Sequence, residues 1–313
     1  MSLSNQLSTT HTSNLNNIDD RFNNIGILYN ACHKNALEYV KAITDILNFH
    51  GINTFYQKLN PAECLYFKDF DTTPDLNIII GGDGTFLSAS RCYAPKNIPL
   101  LGINSGNLGF LSQISTKYLE QSLEKLFTGD YRIEERLMLR AVDKVENPAR
   151  IFTALNDIVI KRGALSRPIV LSVSVDGHRI NNFLGDGLIV STPTGSTAYN
   201  LSVGGPIIVP GMGVIVLSPI SSHSLAIRPI VIPDDQTVKI TIMNNPEKSY
   251  LNADGQEYTE LKENDTIYVM KAPFKARLVL LGKHEDCFFD ILRSKLHWGI
   301  IPGECPKFSD DEL

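Results

Sequence analysis

The chain opens on a polar stretch. Residues 1 to about 24 are rich in Ser, Thr and Asn and poor in large apolar side chains. Such a segment cannot offset its ordering entropy by burial, which predicts a mobile tail over 1–24. The first apolar run, Ile25-Gly26-Ile27-Leu28-Tyr29, predicts a short buried strand. Leu37, Val40, Ile43, Ile46 and Leu47 then recur at helical spacing, and Gly51 closes that helix. Leu76-Asn77-Ile78-Ile79-Ile80 is almost continuously apolar, the signature of a parallel strand covered on both faces. Gly81-Gly82-Asp83-Gly84 leads into a helix predicted from Thr85 to about Cys92, and Pro99 to Ile103 reads as another strand. Strand and helix alternate in this way to about residue 130, which predicts an α/β domain over 25–135.

The pattern changes after Arg136. Short strands are predicted at 139–142, 153–160, 169–175, 187–191, 213–217, 237–242, 250–252 and 266–272. Turns at Asp176-Gly177 and Asp254-Gly255 separate some of them. This predicts a β-rich domain over 136–285 with few helices. Phe288 to Leu296 is apolar and partly helical, and predicts a segment, 286–313, that packs back on the first domain.

Composition narrows the class. A chain of 313 residues with 43% hydrophobic and 20% charged side chains holds two globular domains of ordinary size. A net charge of −5 argues against a nucleic-acid scaffold but leaves room for a local nucleotide site. Cys32, Cys64, Cys92, Cys287 and Cys305 are scattered without a C-x-x-C pair. Reduced thiols in a cytoplasmic protein are therefore expected, not a disulfide framework or a zinc site. No apolar run approaches the roughly 20 residues that span a bilayer, and no secretory leader is read at the N-terminus.

Two segments carry the candidate chemistry. Gly81-Gly82-Asp83-Gly84-Thr85 joins a parallel strand to a helix, the edge where open α/β folds gather ligands. Its glycines let backbone approach a phosphate, and a helix N-terminus turns N–H donors toward anions. Asp83 fits either a helix cap or a group that accepts a proton or meets a metal. The loop is no Walker A motif, lacking G-K-[ST]. The second segment, Gly185 to Asn200, concentrates the hydroxyls of Ser191, Thr192, Thr194, Ser196, Thr197 and Tyr199 directly after an apolar strand. It suits a polyhydroxylated or phosphorylated ligand. Read alone, Asn156-Asp157 are two solvent-facing strand residues, Asn252 to Gln256 is a hairpin turn, and His223 is structural.

Together and in this order these segments resemble the NAD kinase family over about residues 25 to 300. The resemblance rests on GGDGTFL at 81–87, GINSGNLGFL at 102–111 and LNDIVI at 155–160. It rests also on DGLIVSTPTGSTAYNLSVGGPI at 186–207, SSHSLAIRPIVIP at 221–233 and ADGQ at 253–256. GGDGT is shared with lipid kinases and phosphofructokinases; TPTGSTAY followed by a GGP turn is the specific sign. The resemblance implies an α/β N-terminal domain, a β-rich C-terminal domain and a nucleotide site in the crevice between them. It implies transfer of the γ-phosphoryl group of ATP to the 2′-hydroxyl of NAD's adenosine ribose, giving NADP and ADP. Asp83 would be the catalytic base and, with Gly84, would contact NAD; Gly81, Gly82, Gly84 and Thr85 would form the ATP phosphate loop. Asn156, Asp157 and Asp186 would hold NAD, and Thr197, Ala198, Tyr199, Asn200, Leu201 and Ser202 its adenosine, with Arg167 and Gln256 lining the site.

Mg²⁺ or another divalent cation would arrive on the ATP phosphates, since no all-protein metal cage is read from the sequence. A cytoplasmic homo-oligomer, dimer or tetramer, built through the β-rich domain is the family habit. No nucleic acid or membrane partner is expected. The chain departs from the family at Asp157, often Glu, at Leu184, often basic in bacterial members, and at Ser105, Arg in some members. A lipid kinase sharing GGDGT and a non-catalytic NAD-binding regulator are the competing readings.

Overall fold

The computed structural model describes residues 22–33, 35–59, 73–104, 109–112, 114–163, 167–224, 226–244, 247–282 and 287–296. The expected mobile tail lies outside these residues up to position 21, and so do residues 105–108 and the final 297–313. The tail boundary of 24 is too late: Phe22 is buried, its ring centroid 5.6 Å from that of Tyr131. One aromatic side chain in an otherwise polar stretch is enough to anchor the chain there.

The first domain comprises β1 (Asn24–Tyr29), α1 (Ala36–Phe49), β2 (Asn53–Lys58), β3 (Leu76–Ile80), α2 (Asp83–Tyr93), β4 (Leu100–Asn104), β5 (Ile114–Ser115), α3 (Leu119–Phe127) and β6 (Tyr131–Arg136). The run β2-β1-β3-β4 is parallel throughout. β3 and β4 are buried at every position, as their unbroken apolar runs require. α1 buries Ala36, Val40, Ile43 and Leu47, and Gly51 beyond it takes the left-handed φ of 76° that ends the helix. Chain order reverses between β1 and β3, so a crevice opens beyond their carboxyl ends, where β3 runs into Gly81.

The second domain contains β7 (Leu139–Val142), β8 (Ile151–Ala154), β9 (Asp157–Arg162), β10 (Ile169–Val175), β11 (His178–Gly185), β12 (Gly187–Ser191), α4 (Tyr199–Ser202), β13 (Val214–Ile220), β14 (Ile230–Pro233), β15 (Val238–Asn244), β16 (Ser249–Ala253), β17 (Glu257–Leu261) and β18 (Thr266–Lys271). They form two antiparallel sheets, β11-β10-β15-β18-β7-β8 and β14-β13-β12-β9-β16-β17. One apolar cluster joins their facing sides, with Leu171, Val173, Ile240 and Val269 from the first and Ile158, Ile160, Leu188 and Leu217 from the second. This is the core of a β-sandwich.

Three expectations need correction. The single strand at 153–160 is two strands in different sheets, broken at Leu155-Asn156. The return to the first domain begins at Ala276, not 286, because β19 (Ala276–Leu281) inserts between β4 and β6. An apolar strand carries no sign of which sheet it joins. α5 (Cys287–Leu296) follows, burying Ile291 and Leu292, with Phe288 6.5 Å from the Phe110 ring of the first domain. Finally, Cys92 is disulfide-bonded, against the expectation of reduced thiols, whereas Cys32 is free and exposed. Spacing along the chain does not limit which thiols the fold brings together. Among the described residues no helix is long and apolar enough to cross a membrane.

Candidate functional site

Asp83 opens α2, yet it does not cap that helix. Gly82 is the N-cap and makes no side-chain capping bond. The Asp83 carboxylate instead crosses to the glycine-rich segment, where it accepts the backbone N–H groups of Phe110 (3.0 Å), Leu111 (3.2 Å) and Ser112 (3.3 Å). Thr85 is buried, its hydroxyl 3.5 Å from the Asn30 amide at the end of β1. Gly84 is exposed, and its carbonyl accepts from Gln256 Nε2 at 2.7 Å across the domain boundary.

On the other side of that boundary, the corner between β8 and β9 is made by Asp254. Its carboxylate accepts the consecutive N–H groups of Leu155 (3.0 Å), Asn156 (2.8 Å) and Asp157 (3.2 Å). A second clamp comes from the hydroxyl-rich segment: Thr192 Oγ1 donates to Leu155 O at 2.6 Å and accepts from Gly195 N at 3.0 Å. Gly195 passes so close that a Cβ there would lie 2.2 Å from Asn156 O, which excludes any side chain.

Most of the hydroxyls expected to meet a ligand are therefore turned inward. Ser191, Thr192 and Ser196 are fully buried, and Ser196 Oγ exchanges hydrogen bonds with the Ile208 backbone. Asn200, expected among the NAD contacts, is a framework residue: it is fully buried, its Nδ2 donates to Ser196 O and Pro206 O, and its Oδ1 accepts from Ser218. The segment spends its polar groups on holding a tight turn, and that turn presents Ala198 and Tyr199 outward.

Asn156, Asp157, Ala198 and Tyr199 line one cavity of about 290 Å³. Val159, Lys161, Asn252, Asp254 and Gly255 complete it. Strand alternation explains the set: Asp157, Val159 and Lys161 share a face of β9, with Asn252 paired to Val159 on β16. Burial and the neighbouring Asp254 carboxylate push Asp157 up to about 7. Burial also raises Asp254, against the three N–H donors and the Arg91 guanidinium that favour its ionised form. Asp254 holds all those donors, so a proton shared by the pair resides on Asp157.

The two halves match known families separately. Residues 25–131 match the ATP-NAD kinase N-terminal domain and residues 155–281 the ATP-NAD kinase C-terminal domain. The chain belongs to the NAD kinase family. It is 39% identical over 283 residues to the NAD kinase of Heliobacterium modesticaldum, covering 88% of this chain and 99% of that one. It is 44% identical over 222 residues to that of Moorella thermoacetica, covering 71% of each. A NAD kinase from Archaeoglobus fulgidus in complex with ATP superposes with a TM-score of 0.69 at 25% identity, covering 88% of this chain and 98% of that one. The yeast NADH kinase complexed with NADH shares the fold, with a TM-score of 0.79 at 23% identity over 90% of each chain. Membership sets aside the lipid kinase reading.

Other NAD kinase motif positions lie outside the cavity. Asp186 is bound to Arg162 Nε at 2.5 Å, which holds its carboxyl below the usual range with help from the Ser221 hydroxyl. Strand register pairs Asp157 with Ser191 and Lys161 with Gly187, so Asp186 sits beyond the Lys161 end. Arg167 is exposed just before β10, and Ser202 is exposed at the end of α4; Thr197 and Leu201 are half-buried. Gln256 is half-buried and spans the crevice. Asp254, Arg91 and Lys161 escaped the residue-by-residue reading. Arg91 had a usable sign, because a charged residue on a helix buried from Thr85 to Tyr93 must be paired.

Proposed function

We propose that the protein transfers the γ-phosphoryl group of ATP to the 2′-hydroxyl of the adenosine ribose of NAD, releasing NADP and ADP. The observation that carries this reading is the cavity in which Asn156, Asp157, Ala198 and Tyr199 meet, tied through Gln256 to the GGDG turn. Asn156 and Asp157 supply acceptors and an amide donor for sugar hydroxyls, and the half-exposed Tyr199 ring offers a face for the adenine. Gly81 to Thr85 and the N-terminus of α2 suit the ATP phosphates, as do helix N-termini generally. The ribose 2′-oxygen attacks the γ-phosphorus, the bond to the bridging β–γ oxygen breaks, and the hydroxyl proton passes to Asp83. A carboxylate has about four acceptor positions, and three are occupied by the N–H groups of residues 110–112, which leaves one for that hydroxyl.

Among the described residues no three His, Cys, Asp or Glu side chains gather as ligands for a metal, and the ion in this reading is one carried on the nucleotide phosphates. Such a divalent ion would neutralise phosphate charge beside Asp83. The reading includes a homo-oligomer. The outer strand β14 supports the assembly, since Ile230 and Val231 are 37% and 45% exposed on a sheet edge that no other strand pairs among the described residues. An assay with ATP, Mg²⁺ and NAD, reading NADP formed, tests the reaction, and absence of NADP overturns it. Sedimentation tests the oligomer.

A further inference from the structure

Arg91 is 5% exposed, and its guanidinium is divided among three acceptors of the opposite domain. Nη1 lies 3.4 Å from Asp254 Oδ2, Nη2 donates to Gln256 Oε1 at 2.8 Å, and Nε donates to Glu257 Oε1 at 3.3 Å. Gln256 is held from the same helix twice more. Ser88 Oγ donates to its Oε1, and its Nε2 donates to Gly84 O. Gly84, Ser88 and Arg91 fall at helical spacing on one face of α2, so the turn after β16 is seated on a single ridge of that helix. Asp254, gripped by Arg91, is the residue that binds three consecutive N–H groups at the corner carrying Asn156 and Asp157.

We infer that Arg91 is a positioning residue for NAD: from the first domain it holds Asp254 and Gln256 in place, and through Asp254 it sets the corner that aims Asn156 and Asp157 into the cavity. Arg91 is not itself among the residues that line the cavity, and reaches it only through Asp254. The guanidinium fork matters because Asp254, Gln256 and Glu257 are reached from three different nitrogens; an ammonium donates from a single nitrogen and does not reproduce that fixed geometry. The helix that begins at the GGDG turn is thereby coupled to the pocket wall of the other domain, with Arg91 linking that helix to Asp254 and with Ser88 and Gly84 sharing the hold on Gln256. This inference rests on the proposed NAD-phosphorylating activity.

The test compares Arg91→Lys, Arg91→Met and Asp254→Asn with wild-type protein in the NADP-forming assay, with melting temperature measured in parallel. Arg91→Lys keeps charge and stem, so it melts close to wild type. Its KM for NAD rises about tenfold or more while KM for ATP stays within about twofold, as lost geometry without lost charge requires. Arg91→Met raises KM for NAD further and lowers the melting temperature. In the Asp254→Asn background Arg91→Met adds less than about twofold to KM for NAD, because both changes break one path. Should neither Arg91 variant fold, Gln256→Leu reads the same alignment and raises KM for NAD selectively. A wild-type KM for NAD in Arg91→Lys, or in Gln256→Leu where that is the readable variant, overturns the inference. So does equal loss for NAD and ATP, which marks a merely structural residue. Wild-type protein that forms no NADP fails the proposed function instead, and the two failures are thus distinguishable.

Discussion

Gly109 lies so close to Asp83 that a Cβ on the glycine would sit 2.0 Å from the aspartate Oδ1. The contact is possible only because the backbone after Gly109 turns three N–H groups onto that carboxylate. Asp83 thus both faces the crevice and shapes the segment across it. Gly109→Ala forces the two apart. Overpacking of this kind costs ~1–3 kcal/mol, and kcat is expected to fall about tenfold or more as Asp83 is displaced. Melting curves and steady-state rates of the variant check both effects; wild-type values for both would mean the segment yields freely.

Asp83→Asn separates the base from the anchor. Loss of a positioned proton acceptor lowers kcat by ~10²–10⁴. The amide also turns an N–H toward backbone donors, so at least one bond is lost and stability falls by ~1–3 kcal/mol. Single-turnover NADP formation on protein kept well below its melting temperature isolates the chemical step. Near-normal turnover there would leave Asp83 with its structural role alone.

Asp157 links the site to pH. Its acidity is displaced upward from 3.8 to about 7, so between those values the folded chain binds a proton that the unfolded chain releases. Its contribution to stability is therefore full below the unfolded value and is lost as pH rises through about 7. Asp157→Asn removes the charge that burial penalises. The variant is expected to gain melting temperature relative to wild type at about pH 8 and distinctly less at about pH 5, and its KM for NAD rises about tenfold as the carboxyl's hydrogen bond to the sugar is lost. Thermal melts across that range test the sign; a variant less stable than wild type at the alkaline end contradicts it.

Tyr199 is 39% exposed on the cavity wall, where it is accessible to a ligand. Stacking of a base on an aromatic ring is worth ~1–3 kcal/mol, so Tyr199→Ala raises KM for NAD about 5- to 150-fold. Calorimetric titration with NAD reads this directly, and an unchanged affinity removes the ring from the site.

Local patterning carried the fold class. The unbroken apolar runs of β3 and β4, the 3.6-residue period of α1 and the change to short strands after Arg136 each follow from which side chains must leave water, and so they are legible in one dimension. The family's motifs likewise named Asn156, Asp157, Ala198 and Tyr199, which do share a cavity. What patterning could not settle is where polar groups spend their hydrogen bonds. Asn200 and the hydroxyls of Ser191, Thr192 and Ser196 have the chemistry of ligand contacts, and only their neighbours in space reveal them as internal struts. The break at Leu155-Asn156 is set by Asp254, about a hundred residues later, and Asp254 is held by Arg91 on the other domain. The sequence by itself determined the domains' character, the family and the candidate pocket residues, because burial period and contiguous motifs are local. The tertiary structure alone decided which carboxylates are anchors, and that Asp254 both anchors a corner and lines the cavity, because a hydrogen bond depends on position in space and leaves no period along the chain.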